Sequence, residues 1–212
     1  MSLLAEVYAA LAGVVGGLDE ADTWSATGCT GWVVRDLVHH AADDAVRGLV
    51  AAHTPASGGA DRDSVSYWLG WGSDSEKDDA IRRFTRAEAG MREWPQLRER
   101  HLEAAAAAVR ALDALPAERL LATQGHTLTA GDLASTLGVE ATLHHADLVA
   151  HLDAPPPTAA GLAEVRRVVE SLLGRELPGW TDERVALVGT GRAAATDVER
   201  SALAGTTVPV FT

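Results

Sequence analysis

The chain has 212 residues, a formal net charge of −12, a single cysteine and only 5% aromatic residues. That length suits one domain, or one domain with a small appendage, and the dominance of alanine, leucine and valine favours helices over a β-sandwich. The acidic balance argues against nucleic acid or an anionic membrane as partner, and one cysteine excludes an intrachain disulfide framework and fits a reducing compartment.

In chain order, residues 2–17 read as a helix closed by Gly16-Gly17. The start of the chain carries Glu6 and no basic stretch, so it does not read as a signal peptide; with no apolar run approaching a membrane span, the expectation is a cytoplasmic protein. "DTWSATGCTGW" is rich in turn formers and leads into a second helix over about 33–53, "VVRDLVHHAADDAVRGLVAAH". Pro55 and "ASGGADRDS" break the chain into a loop that carries Trp68 and Trp71, read as packing residues or as the wall of a pocket. Charged residues from about 75 to 93 predict a helix that Pro95 ends or kinks. "LRERHLEAAAAAVRALDAL" has strong helix propensity and stops at Pro116. Thr129, with Asp132 in the first turn, caps a further helix that "DAPPPT" ends, and Thr158 caps another to about 175. In the remainder "RVALVGTG" and "VPVF" read as short strands around "TDVERSALAG", which carries a Thr196…Glu199 capping box. "VALVGTG" is no nucleotide-binding fingerprint, because no GxGxxG follows a strand in a βαβ unit. The expected architecture is mainly α, a helical bundle over residues 1–178 with a small αβ extension over 179–212.

The stretch with most chemistry is "GVEATLHHADLVAHL", residues 138–152. At about 100° per residue, Glu140, His144, Asp147 and His151 share an arc of roughly 60°, flush against the apolar stripe of Leu133, Leu137, Ala141, Leu148 and Leu152. His145 falls on another face. Burying carboxylates and imidazoles is costly unless they pair or bind a metal; the bland alternative is a solvated helix face. Zinc and related cations take imidazole nitrogen and carboxylate oxygen, and Glu140 and His144, one turn apart, can supply two ligands. "RDLVHH" on the second helix is the source for a third, although periodicity does not choose between His39 and His40, neither of which centres the stripe of Val34, Val38, Ala45 and Leu49. Asp147 could orient a ligand imidazole, and His151 suits a pocket wall better than ligation. Asp36 and Asp44, flanking His40, read as solvated pairing residues. Cys29 reads as a buried structural cysteine with no His or Lys arrangement beside it. His53, His101 and His126 have no partner visible in the sequence.

Two motifs carry a resemblance. Cys29, Trp32, Arg35-Asp36-Leu37 and His40 resemble the opening motif of the mycothiol-dependent maleylpyruvate isomerase-like proteins, a branch of the DinB-like metal-binding four-helix bundles. Glu140, His144, His145, Asp147 and Leu148 are similar to that family's second motif, and "GTGRAAATDVERSALAG…VPVF" is similar to the C-terminal region of several members. The resemblance implies His40, Glu140 and His144 as ligands of a divalent metal, most simply zinc, with mycothiol as co-substrate. In these actinobacterial-type proteins the thiol meets a small electrophile at the metal, giving an S-conjugate or a cis–trans isomerisation. The expectation is thus an enzyme, a metal-dependent mycothiol S-transferase or isomerase, monomeric or homodimeric, with the metal-bound thiolate as nucleophile. Its rivals are a hydrolase using metal-bound water and a non-enzymatic binding bundle. Family members often carry arginines just before the glutamate of the second motif; here Leu137, Gly138 and Val139 stand there, which favours S-transfer over isomerisation of a diacid, since carboxylates need cationic partners. Arg47, Arg62 and Arg192 are the candidates to replace them.

Overall fold

The computed structural model describes residues 1–70 and 75–211, except the side chains of 75, 77 and 78. Trp71 lies outside the described residues, whereas Trp68, in a short turn of 3-10 helix over Ser66–Trp68, is buried in the core as a packing residue. Four long helices make the bundle: α1 (Leu3–Gly17), α2 (Val34–Ala52), α4 (Trp94–Asp113) and α5 (Ala130–Val149), with α3 (Ser75–Gly90) packed against α2. α1 packs on α5 and α4, and α2 completes the ring by packing on α4 and α5. Two of these helices, α1 and α5, begin at a side-chain cap. Ser2 accepts a hydrogen bond from the Ala5 amide, and Thr129 accepts one from Asp132, answering the orphan N–H groups of the first turn. The expected stripe of α5 is the core itself: Leu133 and Leu137 are 0% exposed and Leu148 1%.

Pro95 neither ends nor kinks a helix. It occupies the first turn of α4, where a missing N–H is no loss, and α3 has already ended at Gly90. Between α4 and α5 lies a hairpin the sequence reading missed, β1 (Leu120–Thr123) paired antiparallel with β2 (His126–Thr129). Gln124 and Gly125 join the two strands with φ of 50° and 82°, the left-handed pair that a two-residue hairpin turn requires.

The C-terminal part is helical where strands were expected. After α6 (Ala159–Leu173), capped by Thr158 as predicted, come α7 (Asp182–Gly189) and α8 (Asp197–Ala202). "RVALVG" is helix because Thr181 caps it and Asp182 and Glu183 fill its first turn, which overrides the β-propensity of two valines. Val185, Ala186 and Val188 then bury themselves as part of the main core, α7 packing on α6. "VPVF" forms no strand; Val210 donates one backbone hydrogen bond to the Gly189 carbonyl at 2.8 Å, and Phe211 stacks on Trp68 at 4.4 Å between ring centroids. The Thr196…Glu199 capping box is present.

Candidate metal centre

α2 and α5 approach closely because Gly48 has no side chain: a Cβ there would stand 2.6 Å from Leu137 Cδ1. The approach brings His40 of α2 against His144 of α5, ring centroids 4.9 Å apart and nearly perpendicular. Asp44, one turn beyond His40, completes the group. Its Oδ2 lies 3.5 Å from His40 Nε2 and 4.0 Å from His144 Nε2, so the three side chains present donor atoms all within 4.8 Å of one another. That oxygen is buried and has no hydrogen-bond partner. A buried carboxylate oxygen with nothing to accept from is costly, and two imidazole nitrogens beside it form the donor chemistry that divalent transition metals take.

Glu140 is buried one turn before His144 on the same face, and its Oε2 is held by the Arg47 guanidinium. Arg47 also lies 3.5 Å from Asp44 Oδ1 and donates to the Tyr67 hydroxyl at 3.1 Å, which in turn donates to Gln124 Oε1 at 2.6 Å. Glu140 is therefore engaged by a cation of the protein's own and lies outside the group of donors within 4.8 Å of one another, in which Asp44 takes the carboxylate's place beside both imidazoles. Burial raises the Glu140 carboxyl above its ordinary value, with Arg47 opposing.

On the far side of His144 a second layer is built around Asp147. Gly28 donates its backbone N–H to the Asp147 carbonyl at 2.8 Å, an approach that a Cβ would block at 2.7 Å from Asp147 Oδ1. The loop so docked delivers Cys29, whose thiol donates to Asp147 Oδ2 at 3.1 Å. Arg192, from the turn after α7, clamps the same carboxylate through Nε at 3.0 Å and a terminal amine at 2.9 Å. His144 Nδ1 faces it at 3.5 Å. Burial by itself would depress His144, but Asp147 and Cys29 outweigh it and lift the imidazole to about 10. His40 has less to hold its proton: burial lowers it, the nearby Asp44 only partly compensating.

Several expectations change. Asp44 is no solvated pairing residue, and Asp36 is buried, accepting from the Val33 amide at 3.0 Å. Cys29 does have a histidine beside it, with Asp147 between. His151 lies past the end of α5 and is exposed, so it walls no pocket. His39 points away from His40, buried against α3 with Nε2 3.0 Å from Glu88 Oε2. His145 is buried on the other face, as read, with Nε2 3.0 Å from the Pro155 carbonyl. Of the three arginines, Arg47 and Arg192 reach the centre and Arg62 does not, bonding only the Asp61 carbonyl among the described residues. The signal for Asp44 was in the sequence: "HHAADD" contains two His–Asp pairs at i,i+4, side by side.

The chain from residue 4 to residue 149 matches the family described as mycothiol maleylpyruvate isomerase N-terminal domain. Its fold is similar to that in a crystal structure of the mycothiol-dependent maleylpyruvate isomerase, with a TM-score of 0.56 and 16% identity over 81% of this chain and 67% of that one. That likeness places the fold among the DinB-like bundles. None of the curated proteins compared with the chain matches it.

Proposed function

The chain belongs to the mycothiol maleylpyruvate isomerase N-terminal domain family, a family that points to an enzyme, and from that premise we propose a metal-dependent mycothiol S-transferase or isomerase acting on a small electrophile. The observation that carries the reading is the unpartnered, buried Asp44 Oδ2 between His40 and His144. His40, Glu140 and His144 would hold a divalent cation, zinc by the character of the donors, with Asp44 adding its carboxylate beside both imidazoles; of the four, Glu140 alone lies outside the group of donor atoms within 4.8 Å of one another. Arg47 occupies one oxygen of Glu140 and a carboxylate has two. When bound, such a cation deprotonates a thiol and polarises a carbonyl.

The protein's own groups do the rest. Asp147, fixed by Arg192, Cys29 and Gly28, orients the His144 ring through Nδ1, which leaves Nε2 facing Asp44 and His40. Arg47 offsets the charge of Glu140 and Asp44 in a buried setting. Both arginines that reach the centre are thus committed to the protein's own carboxylates, which favours S-transfer to an uncharged electrophile over isomerisation of a diacid. In the transferase variant the mycothiol thiol gives up its proton and its sulfur bonds to an electrophilic carbon as a leaving group departs with the bonding pair. In the isomerase variant the sulfur adds to a C=C bond, whose π bond opens, and after rotation about the resulting single bond the C–S bond breaks, the double bond re-forms and the thiol is returned. No helix among the described residues is long and apolar enough to cross a membrane. The reading places the protein in the cytoplasm, with mycothiol and a small electrophile as partners.

Incubation of the zinc-loaded protein with mycothiol and a bimane electrophile tests the proposal. Conjugate formation that needs metal and is abolished by His40→Ala supports it. Thiol-independent turnover would make the protein a hydrolase, and absence of turnover would leave a binding protein.

A further inference from the structure

Beneath the centre, on the side away from Asp147, α4 contributes a histidine that the mechanism above does not use. His101 is 2% exposed, and neither ring nitrogen has a hydrogen-bond partner. A neutral imidazole has one donor and one acceptor, and leaving both unmet in a dry core is costly. A leucine would fill that place in the α2–α4 contact without such a cost. Burial holds the ring neutral, lowering it to about 4.

The ring is not packed against apolar side chains alone. With Tyr8, Leu11, Ala41, Asp44, Leu137, Ala141 and His144 it lines a small internal cavity with ≈ 10 Å³ open to a water-sized sphere. That is about the room one water needs, and a site is wet rather than empty when polar groups face it. Three residues of this wall carry unsatisfied polar atoms, the His101 ring, Asp44 Oδ2 and His144 Nδ1, and of these His144 Nδ1 faces Asp147 at 3.5 Å. His101 does not belong to the set of donors within 4.8 Å that His40, Asp44 and His144 form, so it does not share a cation with all three as placed. What fits is smaller and reaches further.

We propose that His101 and Asp44 hold one internal water molecule between them, and that through this water His101 is a positioning residue of the metal centre. The water donates one hydrogen to Asp44 Oδ2 and makes its second hydrogen bond with a ring nitrogen of neutral His101. A carboxylate oxygen has two lone pairs, so Oδ2 can take the water and still face the imidazoles of His40 and His144. Pinned in this way, Asp44 cannot rotate its carboxylate away from the centre, as hydrogen-bonded outer partners fix the ligands of metal sites elsewhere. The inference rests on the reading of the centre as a metal site for its functional half, and on the cavity alone for its structural half.

Two measurements test the halves separately. A crystal structure of the wild-type protein at a resolution that shows ordered water should place one molecule between His101 and Asp44, and the ¹⁵N shifts of the His101 ring should report a neutral imidazole with a hydrogen-bonded nitrogen. A dry cavity and an unbonded ring overturn the proposal, whether or not the protein binds zinc. Zinc titration against a chromogenic chelator then compares variants. His101→Leu should weaken zinc binding about 10–100-fold with no loss of thermal stability in the metal-free protein, and His101→Gln, which keeps a donor and an acceptor, should recover most of the affinity. A present water with zinc affinity unchanged in His101→Leu overturns the positioning role. Failure of the wild-type protein to bind zinc at all would instead overturn the metal reading of the centre, with the density and the ring shifts still deciding the water.

Discussion

Two faces of α2 carry the same chemistry and make different things of it. His39 and Asp43 sit one turn apart, as do His40 and Asp44, each pair offset from the other by one residue. The His39 pair turns outward to α3 and α4, where Glu88 takes His39 Nε2 at 3.0 Å and Arg100 takes Asp43 at 2.6 Å. Asp43 is 45% exposed and Arg100 35%, so water reaches this pair, although His39 Nδ1 and Arg100 Nε are buried without a partner. The His40 pair turns into the bundle, meets another imidazole, and leaves an acidic oxygen with no partner. Identical residues at identical spacing join a carboxylate and an arginine in an ion-pair cluster on one face and meet a second imidazole on the other, and each face brings three donor atoms within 4.8 Å of one another. The deciding factor is what the facing helices supply and how much water is left, not the motif.

The comparison breaks most visibly through the arginines. Arg47→Met strands the buried carboxylates of Glu140 and Asp44, and breaking a buried pair costs about 3–5 kcal/mol; Arg100→Met removes a half-exposed partner and costs about 1 kcal/mol at most. Denaturant unfolding of the two variants side by side measures both, and equal losses would mean that the two faces are equivalent. Metal binding gives the next contrast. His40→Ala and His144→Ala should each lower zinc affinity by more than about 100-fold, a ligand being worth more than the outer partners that support it. His39→Ala should leave affinity within about threefold, because His39 points away from His40 and its Nε2 is already taken by Glu88. Asp44→Asn and Glu140→Gln, each about 10–100-fold down, then apportion the carboxylate role. Should His39→Ala prove as damaging as His40→Ala, the cation belongs to the outer cluster.

How much of this was legible depended on distance along the chain. The caps at Thr129, Thr158 and Thr196, and the stripe of α5, are local patterns, and they place their helices correctly. The convergence of Glu140 and His144 on one face is equally local. "RVALVG" misled because its valines speak for a strand, whereas the cap at Thr181, three residues upstream of Arg184, settles the matter. Gln124-Gly125 does not announce a hairpin as Asn-Gly would. Asp44 could be seen in the sequence only as flanking His40, and Arg47 and Arg192 only as two of three candidate cations, because each matters through a contact with a different helix or turn, and a helical wheel has no partner on it. His101, within an alanine-rich helix, is the extreme case, meaningful only through the cavity that α1, α2 and α5 close around it.

The smallest effect lies in the tail, where an ion pair repeats the lesson of the outer face of α2. Glu199 of α8 accepts two hydrogen bonds from Arg184 of α7, both at 2.6 Å, and its carboxyl is pulled down to about 2, first by that guanidinium and then by the Thr196 amide. Because the folded value lies below the unfolded one near 4.5, the pair's contribution is fully present above about pH 4.5 and is lost as the pH falls toward 2. The pair meets solvent, so the shift describes local preference far more than global stability. Hydrogen exchange followed from pH 5 to pH 3 should show the α8 amides losing protection in the wild-type protein while those of α5 hold. In Glu199→Gln the α8 amides should start less protected and change little over the same range. A wild-type α8 whose protection ignores pH would mean that Leu203, buried in the core, anchors the helix by packing alone, and that here, as at Asp43, a well-formed exposed ion pair adds almost nothing to what the apolar contacts already hold.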